Sequence, residues 1–99
     1  MSRHDPRKGL EVRLPDALRL RLVASTDAHL PLSYLSRQVL RDALARGLTL
    51  GAHLTPGTAR PILLQLSPDE RRDLHQLAKA QAVTAEVALL GLLDAALPA

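Results

Sequence analysis

The chain has 99 residues, enough for one compact domain or for two very small units sharing a core. It is 46% hydrophobic but only 1% aromatic and has no cysteine. Leu, Ala and Val must therefore fill the core, while disulfides, thiolate metal sites and cysteine nucleophiles are excluded.

The net charge of +3 is unevenly divided. Residues 1–50 hold nine basic side chains against five acids, a net +4, and residues 51–99 hold four against five, a net −1. An arginine-rich first half suits a polyanionic partner, although arginine on an ordinary solvated surface gives the same count. No apolar run approaches the roughly 20 residues needed to span a bilayer. The polar N-terminus lacks the apolar segment of a signal peptide, so the sequence reads as a soluble cytoplasmic protein.

Residues 1–8 read as a basic flexible arm broken by Pro6, with Arg3, Arg7 and Lys8 as candidate phosphate contacts. Apolar residues then alternate, Leu10, Val12 and Leu14 on one face and Gly9, Glu11 and Arg13 on the other, as in a short half-buried strand. Pro15-Asp16 opens a helix carrying Leu18 and Leu22. A turn at Leu30-Pro31-Leu32-Ser33 leads to a second helix with a stripe of Leu32, Leu35, Val39, Leu40, Ala43 and Leu44. Arg37 and Arg41 lie away from that stripe, Ser33 and Ser36 read as caps, and Tyr34 reads as packed at the helix start.

Residues 49–59 form a linker rich in Gly and Pro. The pattern then repeats over 60–99, matching the first copy over 9–48. Ile62, Leu64 and Leu66 face one way, and Leu63 and Gln65 the other. Ser67-Pro68-Asp69-Glu70 is a capping box. Thr84 caps a last helix that is apolar almost all round and needs more than one covering surface. A repeat of about 50 residues lets the two units close on each other.

Strand, helix, turn and helix in about 40 residues resembles the ribbon-helix-helix family of DNA-binding proteins. The first copy carries the likeness best, through Val12-Arg13-Leu14-Pro15 with Leu18 and Leu22, and through the segment from Leu30 to Leu44. The second copy looks degenerate. The resemblance implies a mainly α fold with a short two-stranded antiparallel ribbon, arranged as a tandem pseudodimer. It implies that the ribbon enters the major groove of double-stranded DNA. Glu11, Arg13, Leu63 and Gln65 would then face the bases, with chemistry suited to cytosine, guanine, a thymine methyl and adenine respectively. It also implies a phosphate at the start of each second helix, at Leu32-Ser33-Tyr34 and at Thr84. There, Glu86 carries the wrong charge for the second anchor.

The expected function is that of a small transcriptional repressor or regulator, of plasmid, phage or antitoxin type, recognising a site that is not palindromic for one chain. A homodimer or higher assembly on DNA, and a toxin held by the C-terminal helix, are the further partners such a protein could have. The alternative is a protein-interaction module of similar fold that has lost DNA binding. No cofactor, metal or catalytic residue is expected: the histidines lack ligand spacing, and nothing assembles a nucleophile, base and oxyanion donors.

Overall fold

The computed structural model describes residues 8–25, 30–58 and 60–97. The chain is mainly helical with one two-stranded sheet. Its elements run β1 (Lys8–Val12), α1 (Asp16–Ser25), α2 (Leu32–Ala45), β2 (Ile62–Leu66), α3 (Pro68–Gln81) and α4 (Ala85–Ala96). No helix among the described residues is long and apolar enough to cross a membrane.

β1 and β2 pair antiparallel, from Lys8 opposite Leu66 to Val12 opposite Ile62. Their inner face, with Val12, Leu64 and Leu66 almost fully buried and Leu10 partly so, seats the ribbon on the helices. The alternation holds, but β1 lies two residues earlier than the apolar pattern predicts. The cause is long-range. The Arg13 amide donates to the Glu86 carboxylate at 2.7 Å, and the Arg13 carbonyl accepts from Gly57 at 2.9 Å. With both backbone groups engaged elsewhere, Arg13 has none left for a ladder, and Pro15 offers no amide to resume one.

Each half lays its second helix on the other half's strand: α2 packs on β2, and α4 touches β1. The two helices also pack on each other at the centre. Ala88 to Leu93 of α4 are buried without interruption, whereas α2 buries only Leu35, Ser36, Leu40 and Ala43. The all-round apolar pattern of α4 is thus met by α2, α3 and the linker. Gly91 permits the linker contact: its carbonyl accepts from Gly51, and a Cβ there would stand 2.8 Å from the Ala52 carbonyl oxygen. Arg21 of α1 closes the far end of α4, donating to the carbonyls of Asp94 and Leu97 at 3.0 Å and pairing with the Asp94 carboxylate. That placement suits the negative end of the helix dipole.

Helix ends follow local chemistry. Ser67 and Glu70 form the expected capping box on α3, and Thr84 caps α4. α2 stops at Gly47, whose φ of +67° allows the amides of Gly47 and Leu48 to bond back to Leu44 and Ala43.

Candidate functional site

The outward face of the ribbon presents Gly9 and Glu11 from β1 and Leu63 and Gln65 from β2, with Gly9 opposite Gln65 and Glu11 opposite Leu63. Leu63 is 52% exposed and lies against Gly9, where any Cβ would collide with its side chain. Glu11 is the one charged side chain among these four positions.

Beside this face runs a cleft of about 320 Å³ between β2 and the start of α2, lined by Ser33, Tyr34, Arg37, Leu63, Leu64 and Gln65. The helix start within it is open. Pro31 is the N-cap residue and no side chain caps the helix, so the first-turn amides have no side-chain acceptor. Ser33 therefore sits inside the first turn without capping it. Ser36 is fully buried and its hydroxyl has no partner among the described residues, so neither serine is a cap. Tyr34 is 49% exposed and stands at the mouth instead of being packed away.

Arg37 gives the cleft its charge. Its side chain is mostly buried, its Nε is buried without a hydrogen-bond partner among the described residues, and Nη2 lies 3.6 Å from Glu70. Glu70 also receives Arg41 Nε at 3.2 Å and the Ser67 amide at 2.9 Å. Desolvation works to raise the Glu70 pKa, but the Ser67 amide and the two guanidiniums outweigh it and hold the carboxyl below its ordinary 4.5. Two arginines around one ionised carboxylate leave a local charge of +1 along this side of α2.

The start of α4 is arranged the other way. Thr84 Oγ1 accepts from the Val87 amide at 3.1 Å, and Glu86, largely buried, accepts from the Arg13 amide and lies 3.5 Å from its guanidinium. Its anion is already supplied by the chain.

Of the residues expected to face bases, Leu63 and Gln65 thus share one cleft with Ser33 and Tyr34, and Leu32 opens the helix beside them. Glu11 lies across the ribbon, while Arg13 and Thr84 stand with Glu86 at the other helix start. Arg3 and Arg7 lie outside the described residues, and of Lys8 only the backbone is described, opposite Leu66. Arg37 was not among the expected contacts, because helical periodicity alone assigns it to a solvated face. The available signal was the missing cap: Pro31 precedes α2 where Ser67 and Thr84 precede α3 and α4. Among the described residues no group of His, Asp and Glu could hold a metal ion. No family model, curated protein or solved structure matches this chain.

Proposed function

We propose that the chain is a sequence-specific double-stranded DNA-binding protein acting as a small transcriptional regulator, a tandem ribbon-helix-helix pseudodimer whose ribbon enters the major groove. One observation carries the reading. An uncapped helix start and the side chain of Arg37 share one cleft with the outward ribbon positions Leu63 and Gln65. A two-stranded ribbon fits the major groove, and the flanking backbone phosphate then meets free amides and a guanidinium. Gln65 suits adenine, Leu63 a thymine methyl and Glu11 cytosine. Arg13 reaches guanine only by leaving Glu86, a pair whose exposure on the arginine side makes it weak. With the α4 start occupied by Glu86, each chain has one strong phosphate anchor, and its footprint is not palindromic.

The test is a fluorescence-anisotropy titration against a mixed duplex pool at several salt concentrations. Binding should weaken steeply with salt, and Arg37→Gln should reduce the salt slope by about 1. Gln65→Ala should instead change the sequences selected from the pool, with little effect on that slope. Absence of binding at low salt overturns the reading.

A second reading rests on the exposed Tyr34 and Leu63 in the same cleft, which suit an apolar partner segment. In that case the chain is a protein-interaction module, and Leu63→Asp abolishes partner capture while duplex DNA leaves the anisotropy unchanged.

A further inference from the structure

Gly9 is an exposed residue inside β1, opposite Gln65 and diagonal to Leu63. Glycine weakens a strand, and one kept there often marks a place where another group approaches closely. The backbone does not demand it, since among the described glycines only Gly47 has a positive φ. What Gly9 supplies is space. A Cβ there would collide with Leu63 Cδ1 and stand 2.8 Å from its Cγ and 3.1 Å from its Cδ2. Those three nearest atoms all belong to Leu63, so the leucine lies across the ribbon on the glycine. Diagonal neighbours on one face of a sheet are within reach of such a side chain.

This seat decides where the leucine methyls stand. A half-exposed leucine on an open strand face samples several rotamers within nanoseconds. Contact with the bare Gly9 backbone favours the one that carries the methyls over the middle of the ribbon. Filling the seat would displace a flexible side chain and leave the strand pairing intact. The inner face, with Val12, Leu64 and Leu66, is untouched by such a change.

We propose, on the reading that the ribbon enters the major groove, that Gly9 is a specificity-determining residue. By leaving its side of the ribbon bare, it positions Leu63 against a thymine methyl, the group that marks thymine in that groove. Gly9 needs no base contact of its own.

The experiment begins with the free protein, where nuclear Overhauser contacts should join the Leu63 methyls to the Gly9 α-protons. A duplex is then selected from a random pool, and its thymines are replaced one at a time by uracil, which lacks only the methyl. At one position the parent should lose about fourfold in affinity, the worth of one buried methyl. Gly9→Ala should bind the thymine and uracil duplexes alike at that position, keep the parent's salt slope and melt no lower. Leu63→Ala should do the same, and the double variant should lose no more than either single one. Absent Overhauser contacts, a parent indifferent to uracil throughout, or a thymine preference retained in Gly9→Ala overturns the proposal. So does an equal loss by Gly9→Ala on every duplex, which would mean that the glycine makes room for DNA itself. Where the parent binds no duplex at low salt, DNA binding falls and the proposal with it. That failure is distinct, because every other outcome is read on a parent that binds.

Discussion

α2 and α4 hold corresponding places in the two halves of the chain, yet one begins open and the other sealed. At the second residue, α2 has Ser33 and α4 has Glu86; at the sixth, α2 has Arg37 and α4 has Leu90. α2 is buried on one side only and has an uncapped, basic start. α4 is buried through its middle, capped by Thr84 and neutralised through Arg13. The same topological position is thus open at its start and half-exposed in one half, sealed and almost wholly buried in the other, and a few side chains decide which.

The largest expected effect tests the buried member. Leu90→Ala should lower the unfolding free energy by about 3–5 kcal/mol, and Val39→Ala on the half-exposed side of α2 by about 1 kcal/mol, both read from urea denaturation. Similar losses at both positions would erase the contrast. Next comes the open helix start. Pro31→Asp places a carboxylate cap where α2 has none and should weaken duplex DNA binding about tenfold. Its melting temperature should change little, since a cap worth about 1 kcal/mol is offset by the lost rigidity of proline. Unchanged DNA affinity would show that this helix start is not an anion site.

Ser36 offers a smaller test. Its buried hydroxyl has no partner among the described residues, and the corresponding residue of α4 is Leu89. Ser36→Ala should stabilise the chain by up to about 1 kcal/mol, visible as a higher urea midpoint. Finally, the Glu70 pKa is lower folded than unfolded, so the carboxylate contributes stability that is fully present above its ordinary 4.5 and is lost as pH falls through the folded value. Urea midpoints should therefore fall with acidification in that window, and Glu70→Gln should flatten the decline.

What was legible in the sequence was local. The alternation of Ile62 to Leu66, the Ser67–Glu70 capping box and the apolar circumference of α4 each depend on near neighbours, and each stands in the structure as read. Contacts across the chain were not legible. The displacement of β1 toward Lys8 depends on Glu86 and Gly57 taking the backbone of Arg13, and no periodicity reports a partner 73 residues away. Arg37 was hidden for the same reason, because its cleft exists only once β2 arrives from the other half. The serines misread as caps were a different matter. Residue type suited them to capping, but the helix began at Leu32, two positions too early for Ser33 to be its N-cap.

Because β1 and β2 belong to one chain, their pairing is a unimolecular event. Each strand meets the other at an effective concentration set by the intervening segment, and lengthening that segment would change the closure cost only slowly. Melting of such a ribbon does not depend on how dilute the protein is, whereas a ribbon shared between two separate chains falls apart on dilution. A protein built this way can remain folded at a handful of copies per cell. Each strand is also free to change without imposing the same change on its neighbour.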